Sequence, residues 1–259
     1  MTEILQTLTA GANLTQGWLW AAFLVFLRVG AAMALLPAFG EHSVPQRIRL
    51  ALGLCYTIVV LPAVLDRMTP LEGALALPLA TEVMAGLTIG IGLRLFVHAL
   101  QIAGTLTAQS TSLSQLFGGQ GAEQQPTMSH IFVMTGLALA VVSGLHVRIA
   151  EVFISSYDVL PPGRFPNGAD LATWGLSQVS RAFALAFSMA APFLAASVIY
   201  NIALGVINRA MPQLMVVFIG APALTLGGLV LLAMTSPLLL KLWVDMLNIY
   251  LENPFAGLP

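Results

Sequence analysis

Charge is what this chain has least of: 8% of its 259 residues are Asp, Glu, Lys or Arg, against roughly 25% in a soluble globular domain. The two signs nearly cancel, at a net charge of −1, so there is no basic footprint for nucleic acid. Cysteine is almost missing as well. The one present, Cys55, sits in an apolar run, which points away from disulfides and thiolate metal sites. His98 and His130 flank a polar stretch without the three or four convergent ligands a metal needs, and neither a metal nor another cofactor is expected. No nucleophile and base stand at a recognisable spacing, so the chain is expected not to be an enzyme. The N-terminus, MTEILQTLTAGANLTQG, has no Lys or Arg. A cleaved signal peptide opens on such residues, and this start is expected to be kept.

What remains is overwhelmingly apolar: 58% hydrophobic residues and a mean hydropathy of +0.89. A bilayer core about 30 Å thick is crossed by roughly 20 apolar helical residues. Six segments qualify by hydropathy: 18–36, 48–65, 75–99, 131–147, 182–207 and 214–240. No polar linker divides them, so an all-α integral membrane protein with a single domain over 1–259 is expected. Short-loop Lys/Arg bias normally sets orientation. Here Arg47, Arg49, Arg94 and Arg209 fall on one side and Arg67, Arg148, Arg164, Arg181 and Lys241 on the other, and four against five gives no orientation.

Arg28 falls inside the first apolar segment, where an unpaired charge costs about 2.5–3.5 kcal/mol on insertion scales. It requires a buried carboxylate such as Glu82, backbone carbonyls at a helix contact, or a place along a substrate path. Pro45, which has no N–H to leave unsatisfied, suits the first turn of the second helix, with Arg47 and Arg49 at its entrance. Gly86 and Gly90 form a GxxxG spacing, which lets helix backbones approach closely in lipid. The stretch 148–181, with Pro161-Pro162, Pro166 and Asn167-Gly168, reads as an exposed connection, and Asp170 as the N-cap of the helix after it.

Two stretches stand out. Gly104 to His130, GTLTAQSTSLSQLFGGQGAEQQPTMSH, is Gly-rich, carries five glutamines and has Glu123 as its one acid. Loops at membrane depth are tolerated where they are buried in protein or line water, and this one suits an enclosed wet space. The second is NIALGVINRAMPQLMVVFIGAPALTLGG, residues 201–228, in which Pro212 interrupts a helix and Asn201, Asn208, Arg209 and Gln213 offer groups to its freed carbonyls or to a neighbouring helix.

This second stretch resembles the signature of the FliR family of flagellar biosynthetic proteins, related to the SctT export-gate subunits of injectisomes. RVGAAMALLPAFGEHSVPQRIRLALGL, carrying Arg28, Pro37, Pro45 and Arg49, agrees with the family pattern, and the spacing agrees over nearly the whole chain. The resemblance implies hydrophobic helical hairpins in an export gate of the bacterial inner membrane, within the flagellar basal body. It implies a chain present in one copy, joined to rings of two other hydrophobic subunits beside the larger export-gate subunits, and passing unfolded flagellar proteins. It also implies a pore plug at about 106–126, with Gln109, Ser110, Ser112, Leu113, Gln115, Leu116, Phe117, Gly118 and Gly119 in the gating role. Gly118-Gly119 stands where relatives often carry Asp-Pro. Arg28, Pro45, Asn201, Asn208, Arg209, Pro212 and Gln213 are expected to serve assembly. The alternative class, a six-helix secondary transporter for a small solute, predicts an inverted repeat and a membrane-depth acid–base pair. No convincing repeat is visible.

Overall fold

An apolar chain that leaves water must satisfy its backbone internally, and helices do so within one segment. The computed structural model describes residues 2–41, 44–68, 75–112, 127–211 and 216–258, and it is all-α. Among the described residues seven helices follow in order: α1 (Thr2–Met33), α2 (Gln46–Val64), α3 (Ala76–Ser112), α4 (Thr127–Val142), α5 (Leu145–Val159), α6 (Gly168–Ala210) and α7 (Val216–Glu252). A 3-10 turn, Leu65–Arg67, extends α2. Among the described residues the only strand-like pairing is a lone bridge between Ala256 and Leu258. Among the described residues five helices are long and apolar enough to cross a membrane, with α4 and α5 a sixth if they count as one broken span.

Several helices outrun their apolar segments. At 43 residues, α6 is about 65 Å long, roughly twice a bilayer core. The third segment was expected to give way to a loop near residue 106, yet α3 stays helical to Ser112. Three of its hydroxyls bond back to the helix itself: Thr105 Oγ1 donates to the Gln101 carbonyl at 2.8 Å, Ser110 Oγ to Thr107 at 2.8 Å, and Thr111 Oγ1 to Ala108 at 3.0 Å. Such back-bonding lets Ser and Thr sit inside a helix.

The fourth segment is two helices rather than one, broken at Ser143–Gly144. Gly144 has φ 91°, in the left-handed region that glycine enters freely. The 148–181 connection is corrected too, because α5 continues to Val159 and only 160–167 lies between helices. Ile149, Val152, Phe153, Ser156 and Tyr157, all buried, recur at helical spacing. Asp170 lies within the first turn of α6. It is Asn167, one residue before the helix, that accepts the Ala169 N–H through Oδ1 at 3.1 Å.

The chain forms two compact units. The first comprises 1–94, 141–178 and 249–259. In it the GxxxG glycines of α3 seat directly on α1: a Cβ on Gly86 would collide with the Arg28 carbonyl, and one on Gly90 would lie 2.9 Å from Leu35 Cβ. Gly92 leaves room for the Tyr250 ring. The turn after α1 is held by Glu41, whose carboxylate receives Arg94 at 2.7 Å and whose carbonyl receives Arg49 at 2.7 Å. The second unit comprises 95–140 and 179–248. Gly104 of α3 abuts the Ser129 backbone of α4, and Gly228 of α7 abuts Thr111 of α3. Trp243, fully buried, donates its indole N–H to the Phe96 carbonyl at 2.9 Å.

Candidate functional site

In the first unit, Arg28 of α1 is 1% exposed and Glu82 of α3 is 0% exposed. The guanidinium forks onto the carboxylate, Nε to Oε2 at 2.7 Å and Nη2 to Oε1 at 2.9 Å, a two-bond geometry that also fixes orientation. Nη1 donates to Ser156 Oγ at 2.8 Å, and that hydroxyl passes its own proton to the Phe153 carbonyl at 2.6 Å. Nη2 further donates to the Leu160 carbonyl at 2.7 Å, just past the last turn of α5. The Tyr157 ring lies 3.6 Å from the guanidinium carbon, a cation–π contact, and its hydroxyl donates to Glu82 Oε2 at 3.2 Å. Carboxylate, carbonyl and ring together surround the charge. The paired charges are buried, and the cluster ties α1, α3 and α5 at one point. Of the readings open for Arg28, the carboxylate and the carbonyl both apply. The turn signals of 148–181 point to surface and hide Tyr157 and Ser156; the helical spacing of Ile149, Val152, Phe153, Ser156, Tyr157 and Leu160 is the signal that marks them.

Pro45 stands immediately before α2 with φ −57° and ψ 142°, so its ring opens the helix where no N–H is required.

The other expected site residues belong to the second unit or lie outside the described residues. Gln109 is exposed on α3, Ser110 is buried, and Ser112 ends the helix. Leu113, Gln115, Leu116, Phe117, Gly118 and Gly119 are outside the described residues, as are Pro212 and Gln213. Residues 106–112, expected as part of a plug loop, are helix. Asn201 turns back on its own helix, Nδ2 donating to the Ser197 carbonyl at 2.8 Å. Asn208 and Arg209 are exposed in the last turn of α6. That helix ends at Ala210, as a following proline would dictate.

Between the end of α3, the inner part of α6 and the first half of α7 lies a cavity of about 210 Å³, lined by Thr111, Phe193, Ser197, Tyr200, Leu224 and Gly227 among others. Tyr200 crosses from α6 to α7, its hydroxyl donating to the Gly220 carbonyl at 2.8 Å. Among the described residues no three His, Cys, Asp or Glu side chains are grouped to hold a metal ion.

Residues 19–249 match the family model described as bacterial export proteins, family 1. The chain is 31% identical over 231 residues to the flagellar biosynthetic protein FliR of Caulobacter vibrioides, covering 87% of this chain and 92% of that one. It is 27% identical over 225 residues to the FliR protein of Escherichia coli, covering 86% of each. It is also similar to the secretion system apparatus protein SsaT of Salmonella typhimurium, 24% identical over 251 residues and covering 93% of this chain and 97% of SsaT.

Proposed function

Because this chain belongs to the bacterial export proteins, family 1, we propose that it works as an integral membrane subunit of a flagellar type III export apparatus, where it helps form and close the pore for unfolded flagellar proteins. The observation that carries this reading is a likeness to FliR proteins and to SsaT that runs almost from end to end, on a chain whose helices suit a membrane. The finer reading puts it in the bacterial inner membrane, at the flagellar basal body, as one copy joined to rings of two other hydrophobic subunits. The segment 113–126, following α3 and preceding α4, acts as the plug.

Helices longer than a bilayer fit that setting. Exposed apolar residues on α6 run from Leu176 to Ile207, 32 positions or about 47 Å, so lipid covers only part of them and neighbouring subunits cover the rest. The solute-transporter alternative asked for a membrane-depth acid–base pair. Arg28 and Glu82 do pair, but sealed from water, and no observation favours that reading.

Deleting the gene and assaying secretion of flagellar subunits, with purification of the chain in mild detergent, tests the proposal. Secretion should cease, and the chain should copurify with other hydrophobic subunits. A stable monomer that binds a solute, in a strain whose secretion persists without it, overturns the reading.

A further inference from the structure

One face of α3 is uncovered along most of its length, and its chemistry changes partway. Val83, Leu87 and Ile91 are exposed and apolar. From Arg94 onward the same face carries Arg94, His98, Gln101, Thr105 and Gln109, which at 100° per residue stay within about 80° of arc. His98 and Gln109 are exposed, and Gln101 and Thr105 half-buried. The adjoining side at the same level is apolar, with Leu95 and Leu106 also half-buried.

The polar groups hydrogen-bond one to the next. His98 Nδ1 is paired with Gln101 Oε1 at 2.8 Å, and the Gln101 carbonyl accepts from Thr105 Oγ1 at 2.8 Å and from Ser129 Oγ of α4 at 3.3 Å. Gly104 allows that close approach of α4, and His130, exposed, follows Ser129 on the same helix. Arg94, the one full charge on the face, is neutralised by Glu41. The Thr105 and Ser129 hydroxyls are answered within the protein, but the N–H donors of the Gln101 and Gln109 amides would go unsatisfied if turned toward hydrocarbon, which lipid does not tolerate. Water or a polar chain must meet them.

We infer that the α3 face from His98 to Gln109 lines the water-filled path of the exported polypeptide, while the Val83–Ile91 part of the same face meets lipid or apolar protein. This rests on the export reading above. Uncharged amide and hydroxyl groups hydrogen-bond transiently to the backbone of any extended chain, whatever its sequence, and hold no fixed charge to arrest it.

The test uses the full chain in its assembled apparatus, with Cys55→Ser as background. Single variants His98→Cys, Gln101→Cys, Thr105→Cys and Gln109→Cys are compared with Leu87→Cys, Ile91→Cys, Leu95→Cys and Leu106→Cys. The probe is a charged, membrane-impermeant maleimide applied to vesicles of both orientations. Labelling should be about tenfold faster at the polar positions, because the thiolate and the reagent both require water. Uniform labelling would mean that this part of the helix stands in bulk water, and protection of the polar positions would mean that protein or lipid covers them; either result overturns the inference. Where one cysteine prevents assembly, the other three polar positions carry the comparison. Secretion is scored in the same strains. Protected positions in a secreting strain sink the lining and leave the export reading standing, whereas secretion that survives deletion of the chain sinks the export reading itself.

Discussion

Arg28 Nε sits 2.7 Å from Glu82 Oε2, with both side chains sealed from solvent, and 54 residues of chain separate the two. A pair this deeply buried is strongly destabilising to break from one side, because the remaining charge is left uncompensated, although replacing both partners with apolar groups is often close to neutral. Arg28→Met alone should therefore cost about 3–5 kcal/mol and lower the melting temperature of the purified complex. Arg28→Met with Glu82→Leu should recover most of that loss. A double variant no better than the single one would show that the hydrogen bonds to Ser156 and Leu160, not the charge balance, carry the stability.

The glycines of α3 make a second contrast. A Cβ at Gly86 meets the Arg28 backbone, which has no flexible end to yield, whereas Gly205 in α6 has nothing within 4 Å. Gly86→Ala should lift α3 from α1 and destabilise by about 1–3 kcal/mol. Gly205→Ala should be neutral or stabilise by up to about 1 kcal/mol, from helix propensity alone. Thermal melting of the two variants side by side checks both signs.

Gly227 and Gly228 are adjacent but face different surroundings. Gly227 has open space around it and borders the 210 Å³ cavity, whereas a Cβ on Gly228 would strike Thr111 Cγ2. Gly227→Ala should leave assembly intact, and Gly228→Ala should weaken it. Thr111→Ser removes the obstructing methyl and should rescue Gly228→Ala. A double-mutant cycle on the yield of assembled complex reads this coupling.

For the plug, helix through Ser112 moves the useful deletion to 113–120. Removing those residues should leave assembly intact and let ions leak through the pore, measured as conductance across a bilayer or as loss of membrane potential. Leu116→Asp or Phe117→Asp should weaken closure in the same assay, because a carboxylate in an apolar constriction draws in water. Unchanged conductance in a complex shown to assemble would remove the plug assignment.

Hydropathy made the all-α membrane class legible, because six runs of apolar residues permit little else. Family membership was legible in residues 201–228 and around Arg28. Even the Arg28–Glu82 pairing was among the readings open from the sequence, since a charge in an apolar segment must be answered. Helix ends were not legible in the same way. Polarity alone made Gly104–Ser112 resemble loop, because hydropathy does not register hydroxyls that bond back to their own helix. The prolines and Asn-Gly of the connection mask α5, because turn signals are local and strong while its helical spacing emerges only over several turns.

The sequence by itself determined that this chain is helical, belongs in a membrane and bears the marks of an export family; these follow from composition, period and motif, which are local. Only the tertiary structure decided that Tyr157, Ser156 and the Leu160 carbonyl close around Arg28. The same is true of which glycines are contacts and which are merely small, and of which face of α3 is left open. Each of these depends on which residues from distant parts of the chain share one neighbourhood, and hydropathy and spacing within a single helix do not specify that.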